Sequence, residues 1–210
     1  MERPDFVHLH LHSEYSLSDG IIRIKELVSR ASSLQYSAVG LTDLTNLFGL
    51  LEFYRSSREK GIKPIVGAEV NVIKDKDSLP APIVLLVKDK QGYINLTKIV
   101  SKAYVDGQVN GEPMVELSLL QKYSEGLIAL SGGMEGHVGQ SILAGNAPLT
   151  ESRIKFFKSI FDEDFFIEVH RLGKTNEEEY NNAAVDIATK MDVPIVATNN
   201  VRFLMPIDPE

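Results

Sequence analysis

The chain contains no cysteine. That single absence excludes disulfide frameworks, thiolate zinc sites and cysteine nucleophiles, and it fits a cytoplasmic chain. Nor does the sequence hold an apolar run near the ~18 residues that a membrane-spanning helix needs, so no span and no membrane partner are expected. The opening residues Met1-Glu2-Arg3-Pro4-Asp5 lack the pattern of a secretory leader. An excess of base is also missing. Twenty-two basic against 29 acidic residues leave a net charge of −7 and a pI near 5.3, which argues against a surface that grips a phosphate backbone by charge alone. Histidine is scarce, yet three of the five, His8, His10 and His12, are crowded into one short stretch.

What remains is an ordinary globular composition, 43% apolar and 24% charged in 210 residues. That length exceeds the usual domain size, but α/β barrels commonly use this much chain as one domain. Strand-length apolar runs fall at 6–11, 38–42, 64–73, 83–87, 126–131, 165–169 and 194–198. Several are apolar throughout, as in parallel strands covered by helices on both faces. Between them the pattern predicts helices at 24–34, 49–60, 93–105, 117–123, a pair within 138–160, and 176–191. Leu27, Ala31 and Leu34 form an amphipathic stripe, Gly61 reads as a helix stop, and Thr175 with Glu178 reads as a capping box. The segments 74–82 and 107–113 read as exposed loops. Strands alternating with helices make the class α/β; periodicity does not choose between a closed barrel and an open sheet.

His8-Leu9-His10-Leu11-His12 is the most informative stretch. Alternation along a strand puts the three imidazoles on one face, where neighbouring rings can chelate zinc, manganese or iron; a polar patch at a strand end is the alternative. Acidic partners stand where loops begin: Asp19 before Gly20, Asp43 at the end of the second strand, and Glu69 inside the apolar run Ile65-Val66-Gly67-Ala68-Glu69-Val70. A carboxylate within such a run is costly unless paired or metal-bound, whereas Asp43 can simply cap the next helix. The loop Ser131-Gly132-Gly133-Met134-Glu135-Gly136 lacks the Gly-Lys-Ser/Thr of a P-loop and reads as a tight turn. His137 reads as a surface residue, and His170 is left open as a candidate ligand.

Taken together, the ordered stretches carry a family pattern. Phe6-Val7-His8-Leu9-His10-Leu11-His12-Ser13-Glu14-Tyr15-Ser16 with Asp19-Gly20 resembles the opening motif of the polymerase-and-histidinol-phosphatase (PHP) family, in the form carried by bacterial replicative polymerase alpha subunits. Thr42-Asp43-Leu44-Thr45-Asn46-Leu47-Phe48-Gly49 and Gly61-Ile62-Lys63-Pro64-Ile65-Val66-Gly67-Ala68-Glu69 continue it, then Gly92-Tyr93-Ile94-Asn95-Leu96. Glu125-Gly126-Leu127-Ile128-Ala129-Leu130-Ser131-Gly132 and Val196-Ala197-Thr198-Asn199-Asn200-Val201-Arg202-Phe203 complete it, so the likeness runs from about residue 5 to residue 203.

The resemblance implies a distorted seven-stranded β/α barrel, with residues 1–210 as one PHP domain at the N-terminus of a longer polymerase chain. In catalytic members a metal cluster activates water against phosphate esters. His10, His12, Asp19 and Glu69 match that family's ligands. Leu44, Pro82, Gly133, Leu172, Asn200 and Arg202 stand where other ligands are expected, and Leu, Pro and Gly side chains bind no metal. The implication is a degenerate site with no cofactor, or at most one residual divalent ion, and magnesium reserved for the full-length polymerase. Arg202 is then expected to lie among Asp19 and Glu69, replacing part of a metal's charge. The partners implied are the remainder of the alpha subunit and the proofreading exonuclease (epsilon) subunit, with DNA contacted through the full-length protein. An active metal-dependent phosphoesterase or 3′–5′ exonuclease is the alternative, and a free-standing histidinol-phosphatase-like enzyme a third.

Overall fold

The structure is a computed structural model that describes residues 6–74 and 78–204. Met1–Asp5, read above for a secretory leader, therefore lie outside the described residues, as does the middle of the loop expected at 74–82. The chain divides into two compact units. One holds the described residues up to Glu69 together with those from Asn199 onward, and the other is Val70–Thr198.

The first unit contains α1 (Ile24–Ser33), β1 (Ala38–Leu41), α2 (Leu50–Glu59) and the start of β2 (Lys63–Ile73). Ile24, Leu27, Val28 and Ala31 give α1 one buried face. Leu34 does not extend this stripe; it caps the helix and is partly exposed. α2 stops as expected at Gly61, whose φ of 72° is open to glycine at little cost. The Gly61 N–H donates to Arg58 O and the Ile62 N–H to Ser57 O, closing the helix end with paired carbonyls. β1 runs parallel to β2, with Ala38 opposite Lys63 and Leu41 opposite Val66. Leu11, Ile22, Leu27, Val39, Phe53 and Ile62 are packed into the core beside them.

The first expected strand, 6–11, does not form a regular ladder. The Gly40 N–H donates to His8 O and the Thr42 N–H to Leu11 O, so three steps along the histidine segment oppose two along β1. This extra residue is a bulge. The Thr42 hydroxyl fills the gap, accepting from Leu11 N at 2.8 Å and donating to Leu11 O at 3.1 Å. The bulge breaks the face alternation, and His8 parts company with the other two histidines. Its ring sits edge-on to Phe6 and Tyr36, 5.1 and 5.5 Å away.

The second unit contains β3 (Ala81–Val87), α3 (Lys90–Val105), β4 (Gln108–Val109), β5 (Glu112–Pro113), β6 (Val115–Glu116) and α4 (Leu117–Lys122). β7 (Leu127–Leu130), α5 (His137–Leu143), α6 (Ala147–Phe161), β8 (Phe165–Val169), α7 (Glu177–Met191) and β9 (Ile195–Ala197) follow. β7, β8 and β9 pair in parallel, as do the last residues of β2 with β6. β3 departs from the parallel expectation and runs antiparallel to β7. The cause is the short link after Ile73, because a parallel return needs a crossover of a dozen or more residues. The loop expected at 107–113 is a hairpin instead. Asn110 and Gly111 take φ of 54° and 86°, the two-residue turn that joins β4 to β5.

Local devices differ from expectation at two further points. α7 is not started by a Thr175–Glu178 box; Asn176 is the N-cap without a side-chain bond, and Glu177 reaches back to accept from Leu172 N and Gly173 N. His137 is not a surface residue: its ring, half-buried, stacks on Phe157 and bonds to Val72 O at 3.1 Å. Burial, helped by Arg153, holds its imidazole below the usual range against the pull of Val72 O. The loop 131–136 is the tight turn expected, with Gly132 and Gly133 at φ of 79° and 59°. α3 begins hard against Gly126; a Cβ on Gly92 would lie 1.8 Å from Gly126 O. Gly92→Ala is therefore expected to cost about 2 kcal/mol, read as a lowered urea midpoint. Among the described residues no helix is long and apolar enough to cross a membrane.

Candidate metal centre

Backbone pairing assembles the site in the first unit. Val201 N donates to His10 O and His12 N donates to Val201 O, which registers Leu11 beside Val201. Leu11 and Val201 pack into the core. Their neighbours His10, His12, Asn200 and Arg202 are thereby set on the other face. Glu69 arrives from β2, where it is bridged to Leu44 and its backbone is bonded to Thr42, Asp43 and Thr45.

His10 Nε2 lies 2.7 Å from Glu69 Oε2, His12 Nε2 lies 3.6 Å from the same oxygen, and the two Nε2 atoms are 3.4 Å apart. All three side chains are buried. Burial alone pushes the Glu69 carboxyl upward; the hydrogen bonds and charges of His10 and His12 outweigh it and bring the group down to about 2. Burial lowers the His12 imidazole, and Arg202 and His10 add to that against the pull of Glu69.

On its other edge, His12 faces a different set. Its Nδ1 is 3.3 Å from Arg202 Nη1 and 3.5 Å from Asp19 Oδ2. Arg202 is ion-paired with Asp19 Oδ2, donates from Nη1 to Asp19 O at 2.9 Å and from Nε to Asn200 Oδ1 at 2.9 Å. Thus Arg202 does lie on Asp19, as its position suggested. The other expected partner, Glu69, faces the two imidazoles through Oε2 instead.

His10, His12 and Glu69 fit a single divalent ion. Their three ligand atoms lie within 4.8 Å of one another, and two imidazoles with a carboxylate suit zinc, manganese or iron. Asp19 is engaged by Arg202. Asp43 neither caps α2 nor joins this group: it accepts from Ser13 N at 2.6 Å and from the Ser13 and Ser16 hydroxyls. That network was not foreseen, although two serines three apart, followed by a lone aspartate at a strand end, are its signal. In the second unit, Leu172 is partly exposed, and the His170 ring lies where a Cβ on Gly133 would stand, 2.5 Å from Cε1. His170 Nε2 is 3.3 Å from Glu168 Oε1. Glu168 itself is buried, with its backbone carbonyl accepting from the Tyr180 hydroxyl at 2.6 Å.

Solved structures share the α/β fold. A proposed metal-dependent phosphoesterase from Bifidobacterium adolescentis superposes with a TM-score of 0.62 at 14% identity, over 96% of this chain and 90% of that one. An amidohydrolase from Chromobacterium violaceum gives 0.62 at 16% identity, over 93% and 87%.

The chain belongs to the PHP domain family, whose pattern matches residues 8–172. It is similar to the DNA polymerase III alpha subunit of Vibrio cholerae serotype O1, 40% identical over 206 residues. With that of Escherichia coli K12 it is 43% identical over 206 residues. Each match covers 97% of this chain and 18% of the relative, so the chain spans about a fifth of the length of these relatives.

Proposed function

We propose that this chain is the N-terminal PHP region, residues 1–210, of a cytoplasmic replicative DNA polymerase alpha subunit. It no longer hydrolyses phosphate esters and serves as a scaffold. Its partners are the remainder of the alpha subunit and a separate proofreading exonuclease (epsilon) subunit, and DNA and magnesium are handled elsewhere in the full-length protein. The observation that carries this reading is Arg202, ion-paired with Asp19 and hydrogen-bonded through Nε to Asn200. A cation contributed by the chain itself stands among the ligand positions, and the positions filled by Leu44, Pro82, Gly133 and Leu172 bring no donor side chain.

His10, His12 and Glu69 would hold a single ion, which when bound supplies Lewis-acid activation of water. Their convergence favours the second reading, an active phosphoesterase or 3′–5′ exonuclease. Hydrolysis of a generic phosphodiester and of primer 3′ ends, with zinc or manganese added, decides between the two. The scaffold reading expects no turnover above that of His12→Ala, together with co-elution of the exonuclease subunit. Turnover abolished by His12→Ala overturns it.

A further inference from the structure

We propose that Arg202 is a tautomer lock: by donating from Nη1 to His12 Nδ1 it confines the ring proton of His12 to Nε2, and so closes the His10–His12–Glu69 site to a metal ion. The inference rests on the scaffold reading and explains how a site that keeps three ligands stays closed.

A neutral imidazole carries one proton, and the bond made at one nitrogen decides where it sits. The guanidinium has donors only. At 3.3 Å from Arg202 Nη1, His12 Nδ1 must therefore offer its lone pair. The proton then lies on Nε2, which faces Glu69 Oε2 and His10 Nε2. A metal-binding histidine needs the opposite arrangement, with a bare nitrogen toward the ion and the other N–H donated to a carboxylate or carbonyl.

Asp19 is placed for that second role. Its Oδ2 is 3.5 Å from His12 Nδ1 but is held by Arg202. Asn200 steadies the arrangement by accepting from Arg202 Nε. Without the guanidinium, Asp19 can accept from a protonated Nδ1, and His12 Nε2 becomes a ligand. Until then Glu69 takes the place of the ion, its Oε2 2.7 Å from His10 Nε2 and 3.6 Å from His12 Nε2.

Long-range proton–nitrogen NMR on the 210-residue chain labelled with 15N-histidine reads the tautomer directly. The unaltered chain is expected to show His12 protonated on Nε2. Arg202→Met should move the proton to Nδ1 and raise Zn2+ affinity at least tenfold in a chelator-competition titration, and adding His12→Ala should abolish that gain. Loss of the arginine charge alone would strengthen zinc binding without moving the proton. A tautomer unchanged in Arg202→Met therefore overturns the lock. So does an unaltered chain with His12 already protonated on Nδ1, a result that needs no variant to fold. That result in a chain without phosphodiester turnover leaves the scaffold reading standing, whereas metal-dependent turnover by the unaltered chain overturns both.

Discussion

Asp43→Ala is expected to lower the stability of the first unit by about 3 kcal/mol. The carboxylate is 1% exposed. It accepts from the Ser13 backbone N–H and from both serine hydroxyls, at 2.6 to 3.0 Å. Truncation leaves these donors buried without an acceptor, and each such loss costs about 1–3 kcal/mol. Ser16 Oγ also accepts from Leu44 N, so the loop after His12 and the end of β1 loosen together. Urea unfolding followed by amide exchange at Ser13 and Leu44 measures the effect. A change below about 0.5 kcal/mol, as for an ordinary surface aspartate, would show that the network does not hold the loop.

The second large effect is on acid stability. Glu69 sits at about 2 in the folded chain against 4.5 in the unfolded one. A depressed carboxylate contributes stability that is present above pH 4.5 and is lost as pH falls toward 2, here about 3 kcal/mol. His12 acts in the same direction. Burial lowers its imidazole, so below the ordinary 6.5 the unfolded chain takes up a proton that the folded chain resists. Stability should therefore decline in two stages, beginning near pH 6.5 and steepening below 4.5. Glu69→Gln should lack the second stage. Parallel curves for the two proteins between pH 5 and pH 2.5 would count against the hydrogen bonds assigned to Glu69.

The helices were legible because each declares itself locally. The stripe of α1 and the glycine stop of α2 need no knowledge of what lies across the chain. The longer strands after Ser37 were legible for the same reason, whereas the two-residue strands β4, β5 and β6 were not. The direction of β3 was implicit in a link too short for a crossover, and the β4–β5 hairpin was implicit in Asn110-Gly111. The histidine segment was not legible. Its alternation holds for His10 and His12 but fails at His8, because a hydroxyl from Thr42, distant in sequence, enters the ladder. Among the charged residues, sequence pairs Arg202 equally well with Asp19 or Glu69. The choice is made by geometry: Glu69 Oε2 faces the two imidazoles, and the guanidinium lies on Asp19.

The bond between Val201 and the histidine segment also orders events during synthesis. The core around Leu11 is made early, yet its strand neighbour Val201 follows only after Val70–Thr198 has been translated, on the order of ten seconds later. In that interval His12 N and His10 O lack their backbone partners, and the segment is an open edge available to other strands. Of the candidate site, only Asn200 and Arg202 are thus made late. A nascent chain released before Val201 should be captured by chaperones more readily than one released just after Leu204.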